Sequence, residues 1–205
     1  MAHNALGECA EPAIAGAAGR PVGSALLKPM TNAGGAPNIV LTGFMGTGKT
    51  AVGRALAARL DRPFVDTDER IVDDHGPIPE IFASHGEARF RALERALAVE
   101  LSQRGGLVVA TGGGMLLDPE VGRVMGATAR VFCLTAAPTT IIERVRADGV
   151  SARPLLAGDD AAARVATLLA ERAAAYAAFE PVPTDGLSVE TVVDEILRRL
   201  ASGEI

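Results

Sequence analysis

Gly43-Phe44-Met45-Gly46-Thr47-Gly48-Lys49-Thr50 follows the apolar run Asn38–Leu41 and precedes a helical period. Two glycines five apart, then lysine and a hydroxyl residue, form the P-loop pattern in its proper context of strand before and helix after. Glycine permits the backbone to turn its N–H groups inward around a phosphate chain. The helix that follows points its positive end at the same anion. Lys49 adds a slim point charge that reaches the β- and γ-phosphates, a role a planar guanidinium fills less well. The chain has only two lysines, Lys28 and Lys49, among its twenty basic residues. Thr50 offers a hydroxyl to Mg²⁺. The candidate nucleotide contacts are Gly43, Gly46, Thr47, Gly48, Lys49, Thr50 and Ala51, and the implied cofactors are ATP and Mg²⁺. A P-loop indicates a nucleoside triphosphate and leaves the phosphate acceptor open.

Three further groups carry acceptor chemistry. In Asp66-Thr67-Asp68 the carboxylates are spaced i, i+2, which places them on one face of an extended chain. One can hold a Mg²⁺-bound water and the other can orient an acceptor hydroxyl for in-line attack. The same letters suit a solvated acidic loop. Arg91 and Glu94, spaced i, i+3 on a helix, suit a carboxylate-binding guanidinium held by its own acid, or a charged solvent face. Gly112, Gly113 and Gly114 end an apolar run, so that a ligand can lie against bare backbone. No aspartate ends that third run, which assigns the metal-binding carboxylate to Asp66.

Short apolar runs alternating with helical segments must position these groups. The strands expected are Asn38–Thr42, Phe64–Asp66, Leu107–Thr111 and Arg130–Leu134. A fifth near Val182 is weakened by two prolines. The helices expected are Lys49–Leu60, Glu87–Ser102, Thr139–Ala147, Ala161–Phe179 and Ser188–Leu200. Phe90, Leu93, Leu97 and Leu101 form one helical stripe. Strands separated by helices imply a parallel sheet with right-handed crossovers, covered on both faces, with ligands at the carboxyl ends of the strands. The fold class is therefore α/β, a three-layer sandwich around a five-stranded parallel sheet. Residues 1–36, rich in Ala, Gly and Pro, read as a disordered arm ahead of one domain over residues 37–205. That domain includes an acceptor region at about 67–96 and a hinged, Gly- and Pro-containing lid at about 148–160.

Composition narrows the classes. The chain has 205 residues, 48% of them hydrophobic, and a net charge of −5. That suits a globular domain and disfavours a general nucleic-acid binder. With no Trp and one Tyr, stacking platforms for single strands are not expected. Cys9 and Cys133 make no disulfide framework or zinc pattern, and Cys133 reads as a core residue. No apolar run reaches the roughly 18 residues of a membrane span, and no signal peptide is read. The expectation is a cytoplasmic monomer acting on a small molecule, without nucleic acid or membrane.

Taken in order, GFMGTGKT, DTD, IFASHGEARFRALE, TGGG and ARPLLAG resemble the shikimate kinases, small P-loop kinases related to the nucleoside monophosphate kinases. The similarity runs from about Asn38 to the C-terminus. It implies ATP-dependent phosphorylation of the shikimate 3-hydroxyl, within aromatic amino acid biosynthesis. It places Asp66 near Mg²⁺, Asp68 on the shikimate hydroxyls as candidate base, and Arg91 on the shikimate carboxylate with Glu94 beside it. Gly112, Gly113 and Gly114 line the ligand. Arg153 reaches the transferring phosphate from the lid, Arg172 is the second carboxylate ligand, and Arg146 lies on the nucleotide side. The catalytic set is then Lys49, Asp68 and Arg153. Two departures stand out: Ala173 replaces the usual proline after Arg172, and residues 179–188 are shortened and proline-containing where the family has its fifth strand and often basic adenine contacts. The alternatives are a related kinase acting on gluconate or another hydroxy acid, and a kinase-like metabolite sensor that has no activity.

Overall fold

The computed structural model describes residues 35–147 and 160–203. Its elements run β1 (Asn38–Thr42), α1 (Lys49–Leu60), β2 (Phe64–Asp66), α2 (Thr67–His75), α3 (Ile78–Ser102), β3 (Val108–Ala110), a 3₁₀ turn (Met115–Leu117), α4 (Pro119–Gly126), β4 (Ala129–Thr135), α5 (Pro138–Ala147), α6 (Ala161–Tyr176), β5 (Glu180–Pro183) and α7 (Val189–Ser202). The five strands form one sheet in the order β2-β3-β1-β4-β5, every neighbouring pair parallel. From β1 the chain crosses to one side for β2 and β3, then returns past β1 to β4 and β5. The loop after β1 therefore sits at the point where the winding reverses, where ligands of open α/β sheets bind.

Alternation along β1 explains the layers. Ile39 and Leu41 pack with Val52 and Leu56 of α1 and Val192 and Ile196 of α7. Val40 faces the opposite layer with Phe90, Leu93, Leu97 and Leu101 of α3 and Met125 of α4. Both faces are covered, so the strand reads as an unbroken apolar run. Buried Asn38 donates to the carbonyls of Leu101 and Arg104 at 3.0 and 2.8 Å and accepts from the Leu107 N–H at 2.9 Å. That satisfied amide ties β1 to the end of α3 and the start of β3.

Several expected boundaries shift. The helix expected from Glu87 begins at Ile78, with Gly86 at φ 74°, ψ 172° breaking it immediately before Glu87. Helices α2 and α4 were not anticipated. The fifth strand, doubted for its prolines, forms at the sheet edge. Pro181 and Pro183 are two apart, so both missing N–H groups fall on the same side of the strand. The Thr184 N–H still donates to the Thr135 carbonyl at 2.9 Å. The predicted arm through residue 34 and the lid residues 148–159, including Arg153, lie outside the described residues.

Candidate active site

The P-loop needs its glycines. Gly43, Gly46 and Gly48 have φ of 128°, 73° and 92°, a region that side-chain-bearing residues rarely adopt. A Cβ on Gly43 would run into the Leu134 carbonyl of β4, and one on Gly46 would come within 2.9 Å of Val145. No side chain caps α1 at Gly48, and its first turn holds no acid. By contrast Asp66, Asp118 and Ser188 cap α2, α4 and α7. The first N–H groups of α1 are thus left for an anion. The Lys49 ammonium donates across the loop to the Phe44 carbonyl at 2.8 Å, and so does the Thr47 hydroxyl at 2.8 Å.

Thr50 donates to Asp66 Oδ2 at 2.8 Å, while Asp66 Oδ1 accepts the N–H groups of Asp68 and Glu69. The backbone therefore fixes one carboxylate oxygen and presents the other to the hydroxyl. A hydroxyl and a carboxylate side by side form a hard oxygen pair that suits Mg²⁺, which fills its remaining positions with phosphates and water. Asp66 and Asp68 line one cavity of about 420 Å³ with Lys49, Thr50, Arg54 and Gly113. They do so by a route that differs from the expected extended face. Asp66 ends β2 and caps α2, and Asp68 is the second residue of that helix.

The glycine triad also works differently from the expected bare wall. A Cβ on Gly112 would collide with the Asp68 carboxylate, and one on Gly114 would come within 2.9 Å of Arg91 Nη1. Gly113 lies against the P-loop backbone at Gly43 and Met45. The triad therefore lets Asp68, Arg91 and the P-loop converge. Arg91 donates from Nη1 to Glu94 at 2.7 Å, and from Nε and Nη2 to Glu87 at 3.2 and 2.9 Å. Burial pushes the Glu94 carboxyl above its ordinary range, against the pull of the Arg91 charge. Burial opposes the Arg91 cation, but its bonds to Glu94 and Glu87 outweigh that and raise its pKa.

Arg172 lies on α6 with its guanidinium 5.1 Å from the centre of the Phe44 ring. Arg146 is exposed and lines neither cavity beside the P-loop. Arg144, two residues earlier, lies beside the P-loop. It donates to the Gly46 carbonyl at 3.3 Å and to Thr184 Oγ1 and O at 2.9 and 2.6 Å. A cavity of about 280 Å³ on that side is lined by Gly46, Gly48, Ala51, Arg144, Thr184 and Leu187. Helix residues two apart point about 200° apart, and buried Ile141 and Val145 set the phase that turns Arg144 toward the loop. Thr67, fully buried, accepts the Gly112 N–H at 2.9 Å. It sits inside the Asp66-Thr67-Asp68 motif, where the sequence drew attention only to the two flanking carboxylates. Tyr176, which donates to the Gly113 carbonyl at 2.8 Å, was also missed, although it stands one helical turn from Arg172.

The family model described as shikimate kinase matches residues 45–201. A shikimate kinase of Symbiobacterium thermophilum is 44% identical over 166 residues, which cover 80% of this chain and 95% of that protein. Among solved structures, the shikimate kinase of Acinetobacter baumannii in complex with shikimate superposes with a TM-score of 0.75 at 33% identity, covering 83% of this chain and 96% of that one. A gluconokinase of Sinorhizobium meliloti has a TM-score of 0.56 at 20% identity over 82% of this chain and 92% of its own, a likeness of fold alone.

Proposed function

The chain belongs to the shikimate kinase family, and on that premise we propose that it transfers the γ-phosphoryl group of ATP to the 3-hydroxyl of shikimate. The observation that carries this reading is the position of Asp68. It lines the phosphate cavity together with Lys49 and Thr50, and it also lies against Gly112, two residues from Gly114, which the Arg91 guanidinium adjoins. An acceptor hydroxyl held there stands between an acidic side chain and the end of a triphosphate.

The residues divide the work as follows. The P-loop amides and Lys49 bind the β- and γ-phosphates, and the adenosine end lies beside Arg144 and Leu187. Thr50 and Asp66 would hold Mg²⁺, which neutralises phosphate charge when bound. Asp68 accepts a hydrogen bond from the acceptor hydroxyl and points its oxygen in line with the γ-phosphorus, taking up the proton as the bond forms. Arg91 and Arg172 bind the acceptor carboxylate, and Glu94 keeps Arg91 in place. By the family resemblance, Arg153 adds charge at the transferring group. The protein contributes positioning and electrostatics, as phosphoryl transfer requires.

A coupled assay of ADP release with shikimate, gluconate and quinate tests the reading. The expected outcome is turnover with shikimate well above the other two. Turnover of gluconate equal to that of shikimate, or none of shikimate, overturns it.

A further inference from the structure

Gly112 meets two consecutive residues of α2. Its N–H donates to the Thr67 hydroxyl at 2.9 Å, and the Asp68 carboxylate occupies the space that a Cβ on Gly112 would fill. The pairing of β2 with β3 explains why a side chain makes the first contact. The Val108 N–H donates to the Pro63 carbonyl at 3.0 Å, and the register runs from Phe64 opposite Val108 to Asp66 opposite Ala110. Bonds of a parallel ladder recur every two residues, so the rung for the Gly112 N–H falls at Thr67. Thr67, however, already belongs to α2, where carbonyls point along the helix axis. Its hydroxyl stands in for the carbonyl and extends the ladder by one bond.

That bond does more than satisfy an amide. Thr67 is fully buried and lines neither cavity beside the P-loop, so it acts through its neighbours. Asp66 already caps α2 by accepting the N–H groups of Asp68 and Glu69, which leaves the Thr67 hydroxyl free of that duty. Other polar groups of the glycine turn have partners elsewhere: the Gly112 carbonyl accepts the Met115 N–H at 3.1 Å, and the Gly113 carbonyl accepts the Tyr176 hydroxyl at 2.8 Å. The Thr67 bond comes from the helix that carries Asp68, and it draws Gly112 up as a wall beside the Asp68 carboxylate. Without the hydroxyl, the Gly112 N–H becomes a buried donor with no partner, and the adjoining carboxylate offers it an acceptor. A carboxylate engaged there is lost to the acceptor hydroxyl.

We propose that Thr67 is a positioning residue for phosphoryl transfer: its hydroxyl, by holding the Gly112 amide, fixes the place of the Asp68 carboxylate opposite the P-loop. This rests on the reading above, in which Asp68 accepts a hydrogen bond from the acceptor hydroxyl. The P-loop contacts are untouched, so the loss of Thr67 acts on turnover and leaves nucleotide binding alone.

Steady-state kinetics of Thr67→Val, Thr67→Ser, Thr67→Cys, Asp68→Asn and the double variant Thr67→Val/Asp68→Asn test it. Thr67→Val keeps the shape and removes the oxygen, and kcat is expected to fall about tenfold or more from misplacement while the KM for ATP holds. Thr67→Ser keeps the oxygen and should return kcat to near the wild-type value. Serine and cysteine differ in one atom, and the sulfur is a weak acceptor, so Thr67→Cys should turn over more slowly than Thr67→Ser. That pair decides the question if Thr67→Val does not fold. Asp68→Asn should lose turnover, and adding Thr67→Val to it should cost nothing more, since the threonine acts through the aspartate. Wild-type kcat in Thr67→Val overturns the proposal. So do equal rates in the serine and cysteine variants, a rise in the ATP KM matching the fall in kcat, and losses that multiply in the double variant. Wild-type kcat in Asp68→Asn refutes the reading of Asp68 itself, and the proposal with it.

Discussion

Thr42, at the end of β1, is 1% exposed and its hydroxyl has no hydrogen-bond partner among the described residues. Such a group pays desolvation with no return. Thr42→Val keeps the shape and removes the orphan oxygen. It is expected to stabilise the fold by about 1 kcal/mol, which a thermal melt reads as a rise of roughly 2–4 °C for a domain of this size. A fall in the midpoint would mean that the hydroxyl has a partner after all. In register beside it on β4 lies Cys133, whose thiol burial pushes up to about 11 against the pull of the Lys49 charge. The ordinary value is 9.0. With the folded pKa raised, the stability from this neutral thiol is complete below pH 9 and is lost as the pH climbs from 9 toward 11. At pH 8 Cys133 should resist alkylation in the native protein and react once unfolded, as peptide mass mapping would show. In the sequence Cys133 read as a core residue and Thr42 only as a strand end, because the match between a hydroxyl and its partner is a property of the packed sheet end.

Helices α2 and α4 show how an element escapes a reading by periodicity. Only Thr67 and Ile71 of α2 are buried, too few for an apolar stripe over its nine residues. Helix α4 spans eight residues, and its signal was local: Asp118 caps it and Pro119 opens it. The capping aspartate also pairs with Arg95 at 2.6 Å. Asp118→Ala should cost about 1–2 kcal/mol of stability and leave both KM values alone, since α4 stands apart from the site. Gly112→Ala should behave in the opposite way. Its Cβ displaces the Asp68 carboxylate, so kcat should fall by about tenfold or more from misplacement alone, with a circular dichroism spectrum like the wild type's. A Gly112→Ala enzyme with full kcat would show that the Asp68 carboxylate can move aside without loss.

The whole molecule carries net charge −5, yet it gathers Lys49, Arg91 and Arg172 at one end of its sheet. Binding of MgATP to that end should raise the melting temperature. At a hundredfold excess over Kd the gain is about 2.7 kcal/mol, roughly 5–10 °C at this size. Lys49→Ala should keep the unliganded melting temperature and lose most of that shift along with orders of magnitude in kcat, as melts with and without MgATP would show. The amino-acid order alone determined the cradle, because strand, glycine turn, lysine and helix are contiguous and each conformation is dictated locally. It also determined the apolar stripe of α3 and the Arg91–Glu94 pair, which need only helical spacing. Tertiary structure decided the rest. Arg144 reaches Thr184 across 40 residues, Thr67 reaches Gly112 across 45, and Tyr176 reaches Gly113 across 63. The strand order β2-β3-β1-β4-β5 brings those partners together. Which strands neighbour one another depends on burying both faces of the sheet at once, and no local stretch of sequence encodes that.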